Sequence, residues 1–104
     1  MQNNLTPLRD KIARQIEKIV RESVKIDLEI AAFLKEDFDE IRHAGESRGL
    51  SFVQTVGEVL EGIRKGLVHG GVENFKLIRS ILHASKKSLD SLENKRGSSS
   101  EEQA

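Results

Sequence analysis

Apolar residues recur along the first half of the chain at helical spacing. The series Leu8, Ile12, Ile16, Ile19, Ser23, Ile26, Ile30, Leu34, Phe38, Ile41 advances in steps of three or four. A mean step of roughly 3.6 is the period of an ordinary helix rather than of a strict heptad. Thr6-Pro7 reads as the start, with Thr at the N-cap and Pro at the first helical position, where a missing N–H costs nothing. Arg42-His43-Ala44-Gly45 reads as the stop: cations over the last carbonyls, then a glycine suited to a left-handed C′ position. The pattern thus predicts one helix over 7–44, roughly 57 Å long at 1.5 Å per residue.

The pattern restarts at Leu50-Ser51-Phe52-Val53-Gln54, where Ser51 and Gln54 have the spacing of a capping box. Phe52, Val56, Val59, Leu60, Ile63 and Leu67 then share one face of a helix over 51–69. Gly57, Gly62, Gly66 and Gly70 punctuate it, each weakening a helix by about 1 kcal/mol relative to Ala. A break or sharp kink is expected at Gly70-Gly71. The third segment, 72–96, carries the seam Phe75, Ile78, Leu82, Ser85, Leu89, Leu92 and stops at Lys95-Arg96-Gly97. Residues 98–104 offer nothing to bury and are expected to form a disordered tail.

These elements predict an all-α single domain over 1–97. The second and third segments laid end to end span roughly 63 Å, close to the length of the first helix. A long antiparallel helical hairpin follows, its second arm kinked or broken near Gly70-Gly71. The stripe on the first helix looks too long and too broad for one copy to cover, since Val20, Val24, Leu28 and Ala31 widen it. Leu77 and Ile81 widen the third segment, and Val53 the second. Faces this broad touch two neighbours, which predicts a homodimer of two hairpins packed as a helical bundle. The expected self-association face comprises Ile12, Ile16, Ile19, Val20, Val24, Ile26, Leu28, Ile30, Leu34, Phe38, Ile41, Phe75, Ile78, Leu82 and Leu89. Asp27 and Asp37 fall within the stripe and are expected to act as polar register-setters, as buried polar residues do in bundles.

Composition narrows the function classes. Lys plus Arg and Asp plus Glu are 17 each, so the formal net charge is zero. A dedicated nucleic-acid binder carries a basic excess to neutralise phosphates, so no nucleic-acid partner is expected. There is no Cys, which removes thiol chemistry and fits a cytoplasmic location. The first residues, MQNNLTPLRDK, lack the apolar core of a signal peptide. The longest uncharged stretch, Gly49 to Gly57, is about half of a membrane span. Charge is also unevenly placed: residues 7–21 carry five positive and two negative groups, 76–96 six and two, and 22–65 six and ten. Antiparallel pairing of two hairpins would set the basic end of one against the acidic end of the other.

Candidate chemistry is sparse. Glu40-Ile-Arg-His43 matches the Glu-x-x-His element of di-iron bundles, but on a helical wheel both residues turn away from the apolar face. Gly62, Gly66 and Gly70 form a small-xxx-small line, read as close approach to the first helix rather than as a conformational hinge; Gly70 and Gly71 themselves are the expected kink. His69 and His83 lack a paired nucleophile or metal-ligand spacing. Gly70-Gly71 lacks the strand and Lys-Ser/Thr of a phosphate loop. Lys86-Lys87 and Lys95-Arg96 read as solvated faces. No catalytic, cofactor-binding or metal site is expected. The expected function is a non-enzymatic, self-associating structural or interaction protein. The alternative is a peripheral amphipathic coat protein on a lipid or polymer-granule surface, with the membrane the less favoured partner.

Overall fold

The computed structural model describes residues 7–103, with side chains from 7 to 96. The fold is all-α, built from α1 (Leu8–Glu22), α2 (Ile26–Glu36), α3 (Phe38–Ser47), α4 (Phe52–His69) and α5 (Phe75–Gln103). Thr6 lies outside the described residues. Pro7 precedes the first helical residue, and its carbonyl accepts from the Asp10 and Lys11 N–H groups.

The rod expected over 7–44 is instead three helices. It breaks at Ser23, whose backbone is extended (φ −117°, ψ 145°). Ser23 is the single polar member of the apolar series, so nothing there holds the helix to a core. Its hydroxyl also accepts from the Lys25 N–H at 3.2 Å, an alternative to helical pairing that Ser readily takes. Beyond the break the chain turns back: one groove is lined by Ile19 and Glu22 of α1 with Glu29 and Phe33 of α2. Its continuation is lined by Leu8 and Lys11 of α1 with Glu40 and Ala44 of α3. The early part of α1 therefore faces the late part of α3, and the antiparallel hairpin is made at 23–25 rather than at 45–50. α2 and α3 are joined at Asp37 alone, where the Asp37 N–H still reaches Phe33 O and the Asp37 carbonyl accepts from Ile41.

The stop at Gly45 also moves. Gly45 is buried inside α3, where an added Cβ would fall 2.0 Å from Thr55 Oγ1. The left-handed glycine is Gly49 (φ 77°), one turn later. Leu50 N–H bonds to Gly45 O at 2.9 Å and Gly49 N–H to Glu46 O at 3.0 Å, the paired bonds of a Schellman ending. Ser51 then caps α4 as its spacing predicts: Gln54 N–H donates to the Ser51 hydroxyl at 3.1 Å, and Ser51 N–H donates to Gln54 Oε1 at 2.9 Å. A second Schellman ending closes α4. Gly71 takes φ 105°, with Val72 N–H on Leu67 O and Gly71 N–H on Val68 O. Asn74 Oδ1 accepts from Leu77 N–H and starts α5. α5 runs unbroken past Lys95-Arg96-Gly97 to Gln103, since a nucleated helix gains one hydrogen bond per residue added. Of the tail expected at 98–104, Ala104 lies outside the described residues.

α1 and α4 form the closest pair and run parallel. A Cβ on Gly62 would sit 2.5 Å from Arg9 O, one on Gly66 2.6 Å from Ala13 O, and one on Gly70 2.9 Å from Val20 Cβ. Positions rise together along both segments; the missing side chains at Gly62 and Gly66 let α1 backbone approach, and Gly70 makes room for the Val20 side chain. α5 lies along α2 and α3: Asp27 and Ala31 share a small cavity with Ile81 and Ser85, and Arg42 bonds Glu93 across the gap at 3.0 Å. The result is a flattened bundle measuring 46 × 37 × 20 Å, whose longest side is shorter than the expected rod.

Candidate functional site

Folding the first stripe in half lets one copy cover most of it. Ile12, Ile16, Ile30, Leu34, Phe38 and Ile41 are buried in a single core with Val59, Ile63 and Leu67 of α4 and Ile78, Ile81 and Leu89 of α5. Ile16, expected on the association face, is wholly inaccessible. Ile19, Val20, Ile26 and Leu82 are half-buried against this core. Of the fifteen residues expected on that face, only Val24, Leu28 and Phe75 stay exposed, at 98%, 59% and 70%. Asp27 is exposed, so it sets no buried register; Asp37 is half-buried and marks the α2–α3 junction.

The residues considered for chemistry do not converge. Glu40 and His43 both face solvent on α3, away from the inward position that bundle metal ligands need. No group of three or more His, Cys, Asp or Glu suited to a metal occurs among the described residues. His83 is exposed, and His69 Nδ1 stands 3.7 Å from a Glu17 carboxylate oxygen. No helix among the described residues is long and apolar enough to cross a membrane.

What remains is surface, and α1 has two unlike sides. The side against α4 is closed. Besides the glycine contacts, Lys65 Nζ donates to Asp10 Oδ1 at 2.9 Å, and Arg9 and Glu58 approach to 3.8 Å. The hydrogen bond from Lys65 holds the Asp10 carboxyl below its ordinary range, against the opposing effect of partial burial.

The side against α2 and α3 is open. A continuous groove runs from Val24 at one end to Ala44 at the other, with Gln15, Phe33 and Asp37 lining both its halves. Half-buried Ile19 and Phe33 form its apolar floor. Its α1 wall carries Lys11, Arg14 and Lys18, with Glu22 as an acidic exception near the top. Its α2–α3 wall carries Glu29, Glu36 and Glu40, beside Asp37. Among the described residues none of these six, three cations and three glutamates, enters an ion pair.

A third feature lies at the end of the bundle formed by the turns at 23–25 and 70–74, which the Val20–Gly70 approach sets side by side. Among the described residues, five of the six large apolar side chains left exposed flank these turns: Val24, Leu28, Val68, Phe75 and Leu77. Val53, the sixth, stands alone at the opposite end. The charged walls were not singled out from the sequence, although the basic excess over 7–21 against the acidic excess over 22–65 carried the signal. With the fold made at 23–25, that contrast lies between two arms side by side and not between two ends of a rod. Comparison with protein-family models, with curated proteins and with solved structures returns no match.

Proposed function

We propose that this chain is a non-enzymatic structural protein that works by associating with further copies of itself through surface its own fold leaves open. The observation that carries this reading is the gathering of five large exposed apolar side chains around two adjacent turns. Single exposed apolar residues are ordinary on any protein surface, but a collected group rimmed by charge marks a contact site. The chain supplies the rim with Arg21, Lys25, Asp27, Glu73 and Lys76, all exposed.

The core asks for nothing further: its large residues are dry within one copy, and no buried side-chain polar atom among the described residues lacks a partner. Association would therefore join finished subunits, as distinct from completing a half-built core. Such interfaces are modest in area and reversible. Sedimentation velocity across a concentration series tests the reading. A mass-action shift from one copy to a discrete oligomer is the expected result. A single-copy mass persisting at several hundred micromolar would contradict it.

A further inference from the structure

We infer that the groove between α1 and α2–α3 is a two-fold interface, in which the basic wall of one copy lies on the acidic wall of another. This deepens the self-association reading and rests on it, since it names the surface and the geometry. The argument is electrostatic and steric together. Lys11, Arg14 and Lys18 stand in one row, Glu29, Glu36 and Glu40 in the next, and among the described residues the two rows do not pair across the groove. A two-fold axis running along the helices carries each α1 onto the partner's α2–α3. Every cation row then meets a glutamate row, twice, as an isologous contact requires. An axis across the helices would set α1 on α1 and put like charges together, which is disfavoured. The apolar floor, Ile19 and Phe33, would be covered on both sides.

The same axis keeps equivalent ends of the two copies together. Val24, which lines the top of the groove and belongs to the exposed apolar group, then lies next to its own counterpart. Val24 thereby joins the charge rows to the apolar end of the bundle. This differs from the antiparallel pairing of two hairpins that an unbroken rod suggests, because the break at Ser23 places basic and acidic segments alongside each other.

Charge reversal of each wall separately, then together, tests the interface by sedimentation and native mass spectrometry. Arg14→Glu with Lys18→Glu, and Glu36→Lys with Glu40→Lys, should each weaken self-association about tenfold or more, since attraction becomes repulsion at both seams. Mixing the two variants should restore a one-to-one heterodimer, and all four substitutions in one chain should restore the homodimer. Unchanged circular dichroism and the rescue on mixing together separate a lost interface from a lost fold. A lone cysteine in place of Val24 should link two wild-type-walled copies through a short bismaleimide, whereas an axis across the helices would hold the two cysteines at opposite ends of the groove, and failure to link would overturn the axis. If the wild type associates and both reversed variants associate equally well, the groove is not the interface and the self-association reading stands. If the wild type never associates, both are overturned.

Discussion

The two sides of α1 are built on opposite principles, although one fifteen-residue helix supplies both. Toward α4, backbone meets backbone over Gly62 and Gly66, and charges cross in made pairs such as Lys65–Asp10. Toward α2 and α3, side chains stand apart over an open groove, and among the described residues the charges of its walls form no ion pair. Close packing makes the first side intolerant of change and stabilising to the fold. Openness makes the second tolerant, and leaves its surface for other contacts. Stability and association can thus be separated by mutation, residue by residue.

The largest separation is expected at Ile16. It is fully inaccessible and packs on Gly66, so Ile16→Ala should cost about 2–5 kcal/mol by denaturant unfolding, through lost transfer energy and a residual cavity. Val24→Ala, at a site 98% exposed, should stay within about 0.5 kcal/mol on the same measurement. Equal losses would show that the closed side of α1 is no more tightly packed than the exposed turn that follows the helix.

Next in size are the glycines of α4. Gly66→Ala gains helix propensity, but its Cβ would press on Ala13 O, and overpacking of this kind costs about 1–3 kcal/mol. Gly57→Ala meets nothing within 4 Å, so propensity alone acts and stability should rise by up to about 1 kcal/mol. Opposite signs from the same substitution in one helix would locate the backbone contact; matching signs would remove it.

Smaller still is the effect of acid on the paired side. The Asp10 carboxyl is held low by the hydrogen bond from Lys65, so its folded pKa lies below its unfolded one. Its contribution is present above the unfolded carboxylate value and is lost as pH falls through the folded value. Asp10→Asn should therefore flatten the acid limb of a stability–pH profile and leave the neutral region only slightly lowered. The smallest effect belongs to the open side. Lys18→Glu should change single-copy stability by no more than about 0.5 kcal/mol, as exposed unpaired charges do, while altering association. A large loss of stability there would mean that the two walls do pair within one chain.

Much of the architecture was legible from the residues, and the failures have physical causes. Helical class, the Ser51–Gln54 capping box and the Gly70-Gly71 ending depend on local chemistry, which a sequence displays, and the four-residue spacing of Gly62 and Gly66 marks a smooth stripe on one helix face. The hairpin at 23–25 was not legible because apolar spacing continues in phase across it: Ile19, Ser23 and Ile26 keep the helical step. Periodicity reports which face is apolar and is silent on whether the chain runs straight. The one cue was a serine in the seam. Gly45 was misplaced for a related reason. A glycine after a cation suits a left-handed ending, but it suits equally a helix interior crowded by Thr55, and only the neighbour decides. Phe75 led its seam on spacing, yet Ile81 is buried and Phe75 exposed, so α5 presents a slightly rotated face. The open groove depends on all these placements at once, and so could not be read before them.

Whether the first stripe folds back on itself is the claim from which the rest follows. Gln15 and Glu40 are exposed and line the same stretch of groove, and the chain has no native cysteine to compete with labels. Spin labels on cysteines placed at these two positions, diluted with unlabelled chain and measured by pulsed dipolar spectroscopy, report their separation directly. A folded hairpin gives a distance below about 25 Å, as expected for neighbouring helices about 10 Å apart carrying long labels. A straight helix would separate the two backbones by roughly 38 Å, and a distribution centred there would contradict the account.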